Sequence, residues 1–312
     1  MEQHGKTASK AKFIKLGAKG GWEDLCLSDG TARIAFYDAD HEDALNGNRD
    51  ALETAFKNAE RSGRTASDFA RQVLDFYHSP PETIWITFSL GKLWWCRLAG
   101  PVEFLGSEAA LHPDGSRLRR TVGGWSDVSL AGKQLLMSEL NGNLTAVSQF
   151  QGTICDVQAT DYLLRKIYDE PVPEVVEAME AREACLTTIQ NLLALLPWYD
   201  FEVLIDLVFA RSGWRRTGAL GGTQKTVDIE LEMPVTSERA FVQVKSRTNQ
   251  REFDRYLGDH RHRAESRFFF VYHTSAIEIA SDNATVTVIG PQRLSEMILS
   301  AGLFDWLIAR VG

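Results

Sequence analysis

A proline-bounded acidic stretch near the middle of the chain separates two parts whose sequence patterns differ. Pro171 and Pro173 precede the stretch and Pro197 follows it. Because proline is tolerated in the first turn of a helix but not in its interior, a helix is expected from Pro173 to Leu196. Four glutamates recur in this stretch at intervals of three, at positions 174, 177, 180 and 183. Such a run of like charges is typical of a solvated connecting helix, so we predict a domain boundary between residues 170 and 197.

The length of 312 residues suits two domains better than one. We therefore predict an α/β protein of two domains, with a mixed, β-rich domain over residues 1–158, a helical connector over 159–197 and a second α/β domain over 198–312. Hydrophobic residues make up 44% of the chain and charged residues 24%, which is typical of a folded globular protein.

The composition indicates neither a membrane segment nor a metal-thiolate site. No uninterrupted apolar run reaches the roughly 18 residues that a spanning helix needs, so we expect a cytoplasmic protein without a membrane partner. The four cysteines are too widely spaced for a zinc site and are interpreted as buried small hydrophobes in a reducing compartment. They are Cys26, Cys96, Cys155 and Cys185.

The formal net charge of −8 argues against a protein that coats nucleic acid, but the charge is unevenly distributed. Between Arg211 and Arg267 there are 12 Lys/Arg and 8 Asp/Glu residues, a net charge of +4, which leaves −12 for the rest of the chain. Since salt limits the reach of distant charges to roughly 8–10 Å, a locally basic cleft still attracts phosphate. Net charge therefore does not exclude a nucleic-acid partner.

Strand and helix patterns alternate in the first part of the chain. Phe13 to Leu16 and Ala32 to Tyr37 are predicted strands, and Asp50 to Tyr77 shows the apolar spacing of helices. Two further strands, Thr83 to Phe88 and Leu93 to Leu98, are joined by a glycine turn. Together these elements predict a mixed α/β unit with substantial sheet.

After Pro197, residues 200–211 are predicted to form an amphipathic helix that ends at Ser212-Gly213. Its apolar residues recur with helical spacing, at Phe201, Leu204, Ile205, Val208 and Phe209. Glu202 and Asp206, four residues apart, share a face away from this stripe. The helix therefore carries two carboxylates that take no part in its packing against the core.

Two predicted strands follow, and each carries polar residues on one face. Alternation in the first, over residues 226–231, places Asp228 and Glu230 together, and alternation in the second places Gln243 and Lys245 together. Phosphodiester hydrolysis needs groups of this kind: a carboxylate that binds Mg²⁺, a second oxygen ligand and a lysine near the attacking water. The pattern leaves open whether the lysine orients that water, deprotonates it or neutralises charge.

An acidic residue followed on the next strand by Gln-x-Lys resembles the PD-(D/E)xK nuclease superfamily, and the glutamine variant is similar to its Mrr-like restriction endonuclease branch. Four segments follow that pattern in order: Phe201-Glu202, Gly213-Trp214, Asp228 and Gln243-Val244-Lys245-Ser246. The resemblance covers residues 198–312 and implies a restriction-endonuclease-like α/β/α core.

The resemblance also implies a role for each residue of the motif. Asp228 would bind Mg²⁺, for which Mn²⁺ could substitute, and Gln243 with the backbone carbonyl of Val244 would complete the ligand set. Lys245 would be the catalytic lysine, and Glu202 the acidic residue carried by the helix.

One departure from the family pattern concerns the acidic residue. Glycines often flank it in that family, whereas Val227 and Ile229 flank Asp228 here. Glu230 therefore remains an alternative to Asp228 as the principal metal ligand.

A helix predicted from Arg251 to Glu265 carries the candidate DNA-binding residues. These are Arg251, Arg255, Arg261 and Arg263. A solvated helix face is the alternative interpretation of the same arginines.

Cutting both strands of a duplex with one active site per chain would suggest a homodimer.

The first part of the chain resembles, more loosely, the PUA-like readers of modified bases of the EVE kind. The resemblance covers residues 10–150 and rests on Lys15-Leu16-Gly17, on Gly20-Gly21-Trp22-Glu23 and on the strand at Ile34. It would make three tryptophans candidate base-pocket residues, since every base offers a face to stack on: Trp22, Trp94 and Trp95. Membership of the hydrophobic core is the alternative for each of them.

Three functions compete on these grounds. The leading hypothesis is a Mg²⁺-dependent DNA endonuclease, a type IV-like modification-dependent restriction or phage-defence enzyme whose first domain selects DNA and whose second hydrolyses phosphodiester bonds. The second is a catalytically silent DNA-binding or defence-complex subunit that keeps the nuclease fold for interaction. The third is a repair nuclease that reads DNA structure. Each has DNA, modified or unmodified, as its partner.

Overall fold

The computed structural model describes residues 10–217, 228–260 and 267–312. The chain is a mixed α/β protein with two mixed sheets, and it divides into two compact units, Met1–Pro171 and Val172–Gly312. We call them unit 1 and unit 2. Each unit has a sheet of its own.

Unit 1 contains a six-stranded sheet. Its strands are β1 (Ala11–Ile14), β2 (Thr31–Ile34), β3 (Ile84–Ser89), β4 (Lys92–Phe104), β5 (Arg117–Thr121) and β6 (Ile154–Asp156). Their order is β2-β5-β4-β3-β1-β6, with β1 parallel to β3 and the other neighbouring pairs antiparallel. The four strands predicted from the sequence in this part of the chain are confirmed as β1, β2, β3 and β4, although β4 continues past Leu98 to Phe104.

Helices cover both faces of the unit 1 sheet. They are α1 (Glu23–Asp29), α2 (His41–Leu45), α3 (Arg49–Asn58), α4 (Gly63–His78), α5 (Gly142–Thr145) and α6 (Thr160–Tyr168). Trp85 and Ile86 are neighbours on β3, so their side chains point to opposite faces. Trp85 packs with Phe76 of α4 in one core, and Ile86 packs with Leu163 of α6 in another.

Unit 2 contains a five-stranded sheet. Its strands are β7 (Arg215–Arg216), β8 (Ile229–Met233), β9 (Glu238–Arg247), β10 (Arg267–Thr274) and β11 (Val286–Ile289). Their order is β11-β10-β9-β8-β7; β9, β10 and β11 are parallel, and β8 is antiparallel to β7 and β9. The strand predicted over 226–231 therefore begins later, at Ile229, and Asp228 lies just before it. Residues 226 and 227 lie outside the described residues.

Five helices of the described residues flank the unit 2 sheet. They are α7 (Pro173–Leu193), α8 (Trp198–Arg211), α9 (Gln250–His260), α10 (Pro291–Ser300) and α11 (Phe304–Val311). Helices α7, α8, α10 and α11 share a core with Val242 and Val244 on one face of the sheet. Helix α9 packs Phe253 against Phe270 on the other face. The sheet is therefore sandwiched between two helical layers.

The stretch predicted to be a connector, residues 159–197, is shared between the two units. Helix α6 buries Leu163 in unit 1, whereas α7 buries Leu186, Ile189 and Leu193 in unit 2. Every residue of α7 from position 173 to 184 is exposed, in keeping with its glutamates. Only the first half of α7 therefore has the solvated character that the charge pattern predicts.

The Gly213-Trp214 pair has a structural role at the end of α8. Gly213 has φ +91°, a conformation that favours glycine because it has no Cβ. The N–H of Trp214 donates to the carbonyl of Phe209 at 3.0 Å, and its ring lies 5.6 Å from that of Phe269. The turn thus brings the chain back onto the core and into β7.

All four cysteines are unpaired, and two of them, Cys26 and Cys96, are fully buried. Burial raises the pKa of the Cys26 thiol to about 11, with Arg33 acting in the opposite direction. Cys155 and Cys185 are only partly buried, so the prediction of buried cysteines holds for two of the four.

Candidate active site

Asp228 lies immediately before β8, where its carboxylate accepts hydrogen bonds from two donors of β9. Its Oδ2 accepts from the side-chain amide of Gln243 and from the N–H of Val244, the latter at 2.7 Å. Its own N–H donates to the carbonyl of Val242 at 3.2 Å. Burial raises the pKa of Asp228, while the Val244 N–H and the Lys245 ammonium act to lower it. The carboxylate is therefore held in one orientation beside β9.

Gln243 brings a buried carbonyl oxygen to the same place. The residue is 2% exposed, and its Oε1 has no hydrogen-bond partner among the described residues. An unpaired buried acceptor costs about 1–3 kcal/mol, and an ion or water that satisfies it is a common reason for its presence. Amide carbonyl oxygens are also ligands that hard divalent cations accept. The orphaned oxygen of Gln243 therefore fits a cation site beside Asp228.

The backbone carbonyl of Val244 faces the same side of β9. The N–H and C=O of one strand residue point to the same neighbouring strand. Because the Val244 N–H points to Asp228, its carbonyl opens toward the β8 side as well. The pairing of β8 with β9 ends where Ile229 lies opposite Val242, two residues before Val244. The carbonyl is therefore directed to the place where Asp228 and Gln243 meet.

These oxygens fit a magnesium-type site better than a zinc site. Within residues 10–217, 228–260 and 267–312, no group of three or more His, Cys, Asp or Glu side chains could hold a metal ion. A cation beside Asp228 would therefore depend on amide and backbone oxygens too. Mg²⁺ is commonly bound by one or two carboxylates, with water and substrate phosphate completing its octahedron.

Lys245 projects from the same face of β9 as Gln243. Its Nζ lies 5.1 Å from the ring centroid of Tyr256, which α9 supplies. Burial would lower the pKa of Lys245, but the Tyr256 hydroxyl and the carboxylates of Asp228 and Glu252 outweigh it and raise that pKa. The side chain is therefore an ammonium group close to the carboxylate of Asp228.

Glu202, on α8, belongs to the same group of interacting charges. Burial raises its pKa and the nearby Asp228 raises it further, while Lys245 and Arg216 act to lower it. A carboxylate whose charge is repelled by a second carboxylate is typical of a site that can take up a cation. The structure thus brings together the four residues that the sequence singled out.

Glu230, the alternative to Asp228, has a different position. It lies within β8 opposite Phe241, in the continuous part of the pairing between β8 and β9. Asp228, by contrast, contacts both Gln243 and Val244. The geometry therefore favours Asp228 as the ligand.

The candidate DNA-binding arginines are described only in part. Arg251 and Arg255 are exposed on α9, and Arg255 lies 3.7 Å from Glu252 and 5.3 Å from the ring centroid of Tyr256. Arg261 and Arg263 lie outside the described residues. Helix α9 therefore presents two exposed guanidinium groups, and that of Arg255 lies next to Tyr256, the residue that contacts Lys245.

The three tryptophans proposed as a base pocket are not brought together. Trp22 and Trp94 border the core that contains Trp85, whereas Trp95 borders the core on the opposite face of the sheet. The reason is the alternation of side chains along β4, which sends adjacent residues to opposite faces. The indole N–H of Trp95 donates to the carbonyl of Val128 at 2.8 Å, a structural contact.

Two residues at the site were missed by the sequence reading. Tyr256 follows Phe253 by three residues in the apolar stripe of α9, so its position predicted only packing. Arg216 lies on the short strand β7, where its guanidinium group is 3.6 Å from the carboxylate of Asp206. It also acts to lower the pKa of Glu202. The packing of α9 against the sheet brings Tyr256 to the site, and the pairing of β7 with β8 brings Arg216 there.

The comparisons with known proteins leave the family open. No protein-family model matches the chain, and no relative was found among characterised proteins. In the described part of the chain, no helix is both long and apolar enough to cross a membrane.

Proposed function

We propose that unit 2 is a Mg²⁺-dependent DNA endonuclease domain of the PD-(D/E)xK type, similar to the Mrr-like branch, with a restriction-endonuclease-like core. The observation that carries the proposal is the contact of Asp228 with Gln243 across β8 and β9, beside the unpaired Oε1 of Gln243. Lys245 lies on the same face of β9. The site therefore combines the carboxylate of Asp228, the neutral oxygen of Gln243 and the ammonium group of Lys245. The sheet between two helical layers supports the same family.

Each residue has a task that follows from its position. Asp228, Gln243 and the carbonyl of Val244 would hold the cation through oxygens from two neighbouring strands. Mg²⁺, or Mn²⁺ in its place, would stabilise charge on the scissile phosphate and make a bound water more acidic. Lys245 presents its ammonium where it can neutralise charge that develops on the phosphate. Glu202 attracts this ammonium and keeps it near Asp228.

DNA is the proposed substrate because the stretch of sequence that carries the site is basic. The segment from Arg211 to Arg267 carries a net charge of +4 in a chain whose net charge is −8. Exposed Arg251 and Arg255 on α9 can contact backbone phosphates. Cutting both strands of a duplex would then require two copies of the site, as in a homodimer.

We propose that unit 1 selects the DNA, which would make the protein a type IV-like modification-dependent restriction or phage-defence enzyme acting in the cytoplasm. The support is the loose resemblance of residues 10–150 to PUA-like readers and the pair Trp22 and Trp94, which border one core. These two indoles are the remaining candidates for a base-stacking surface, since Trp95 lies on the other face.

A cleavage assay on the full chain tests the proposal. Unmodified plasmid and plasmid with methylated or hydroxymethylated cytosines are incubated with Mg²⁺, Mn²⁺ or a chelator. We expect metal-dependent cutting of a modified plasmid, and a loss of at least about 100-fold in Lys245→Ala. The exposed lysine Lys133 of unit 1 provides a matched control, because Lys133→Ala should cut like wild type.

Other outcomes identify the competing functions. DNA binding without cleavage, unchanged in Asp228→Asn, would identify a silent DNA-binding subunit. Cleavage confined to flaps and junctions, regardless of base modification, would identify a repair nuclease. A Lys245→Ala protein that cuts as well as wild type would contradict the proposed site.

A further inference from the structure

Tyr256 is the residue of α9 that reaches the candidate site. Its neighbours on the helix stripe pack into the core, where Phe253 lies 5.0 Å from Phe270, and the Tyr256 ring lies 6.2 Å from Phe270. On its other side the ring lies 5.1 Å from the Nζ of Lys245. One aromatic side chain thus connects the buried side of α9 to the lysine of the site.

We propose that Tyr256 is a positioning residue for Lys245, a role that rests on the proposed nuclease function. An ammonium within about 6 Å of an aromatic centroid is attracted by the negative face of the ring, and more strongly where water is partly excluded. Lys245 is half-buried, so this condition is met. The lysine side chain has a flexible four-carbon stem, and a fixed ring on one side excludes many conformations of that stem.

Contacts made by residues of α9 fix the surroundings of the Tyr256 ring. Glu252 accepts a hydrogen bond from Thr248 at 3.1 Å and lies 3.7 Å from Arg255, whose guanidinium carbon is 5.3 Å from the Tyr256 centroid. Glu252 also acts electrostatically on Lys245. The ammonium is therefore bounded by an aromatic ring and by carboxylates of two different elements.

The position of Tyr256 assigns it an indirect role. Its ring packs against the core and against Lys245, so it acts on the reaction through the lysine and not on the phosphate. Loss of the ring should leave DNA affinity intact and reduce the fraction of time that the ammonium spends near the scissile phosphate. The effect should therefore fall on kcat and not on KM.

The experiment compares two substitutions of the same residue in the full chain. Tyr256→Phe keeps the ring and loses only the hydroxyl, which also acts on Lys245, whereas Tyr256→Leu removes both while preserving an apolar side chain. Tyr199→Leu is the matched control, because Tyr199 is an exposed tyrosine of α8. We expect Tyr256→Leu to lower kcat about three- to tenfold with KM unchanged, and Tyr256→Phe and Tyr199→Leu to remain within about twofold of wild type. Equal losses in the Phe and Leu variants, or a wild-type kcat in the Leu variant, would overturn the role of the ring.

A second readout does not depend on cleavage. Lys245 is labelled with an amine-specific acylating reagent in the absence of DNA, and the product is measured by mass spectrometry. The labelling rate reports how often the amine moves away from the Tyr256 ring. We expect faster labelling in Tyr256→Leu than in wild type and Tyr256→Phe, with thermal unfolding confirming that all three are folded. Labelling at the wild-type rate in the Leu variant would overturn the proposal. A wild-type protein that cuts no DNA would instead overturn the proposed function, and the labelling contrast would still decide the role of Tyr256.

Discussion

Gln243 donates its side-chain amide to the carboxylate of Asp228, while its own carbonyl oxygen remains without a partner among the described residues. Asp228 immediately precedes β8 and Gln243 lies within β9, and the contact forms where the pairing of the two strands ends. The Gln243 side chain thus places a bonded amide group and an unpaired carbonyl oxygen beside the Asp228 carboxylate. A cation bound by both side chains would replace the hydrogen bond between them. The first prediction follows from this arrangement.

Gln243→Glu should make the stability of the protein depend on Mg²⁺. The substitution replaces the hydrogen bond to Asp228 by a repulsion between a buried carboxylate and a half-buried one, which should cost about 1–3 kcal/mol. A bound cation would relieve that repulsion. Thermal unfolding with and without Mg²⁺ measures the effect, and Gln243→Leu is the control that cannot bind the cation. Equal responses of the Glu and Leu variants to Mg²⁺ would contradict a cation site here.

Asp228→Asn and Glu230→Gln should separate the two candidate ligands. Asp228 contacts Gln243 and Val244, whereas Glu230 lies opposite Phe241 within the strand pairing. We expect Asp228→Asn to lower cleavage at least about 100-fold, because a metal ligand contributes several kcal/mol to the transition state. Glu230→Gln should remain within about threefold of wild type. The reverse order would assign the ligand to Glu230.

His273 should make unit 2 less stable as the pH falls below 6.5. The residue is 8% exposed, its ring lies 4.7 Å from that of Phe201, and burial, with a further effect of Arg247, lowers its pKa from 6.5 to about 4. The unfolded chain therefore takes up the proton first. The contribution of His273 to stability is complete above pH 6.5 and is lost as the pH falls through 4.

The loss attributable to His273 should be on the order of 3 kcal/mol at its limit. Urea unfolding between pH 7 and pH 4.5 measures it in wild type and in His273→Phe, which cannot take up the proton. The difference in unfolding free energy between the two proteins should shift in favour of the variant as the pH falls. A difference that stays constant with pH would show that His273 has an ordinary pKa in the folded state.

Two glycine substitutions should change stability in opposite directions. Gly213 has φ +91° after α8, so Gly213→Ala should destabilise the protein by about 1–2 kcal/mol. Gly258 lies within α9, where an added Cβ would meet open space, so Gly258→Ala should stabilise it by about 0.5–1 kcal/mol. Chemical denaturation measures both, and a stabilising Gly213→Ala would contradict the left-handed turn.

The pattern of the sequence was sufficient for much of the fold. The spacing of apolar residues predicted α8 and the paired strands around Gln243, because burial of one face imposes a period of 3.6 on helices and of 2 on strands. The extent of β8 was not predictable in the same way. Asp228 has the alternation of a strand residue, yet it precedes the strand, since its side chain bonds to the N–H of Val244.

The tryptophans of unit 1 mark a limit of the same reasoning. Adjacent residues such as Trp94 and Trp95 suggest one aromatic pocket when only their proximity along the chain is considered. The strand sends them into different cores, because its side chains alternate.

The sequence by itself determined which residues of unit 2 share a face: Gln243 with Lys245 on one strand, and Glu202 away from the core stripe of its helix. These are local properties, fixed by the geometry of a single element. Only the tertiary structure decided that Asp228 contacts Gln243, that Glu202 approaches both Asp228 and Lys245, and that Tyr256 lies against the lysine. The first of these relationships depends on the pairing of β8 with β9, and the other two depend on the packing of α8 and α9 against the sheet.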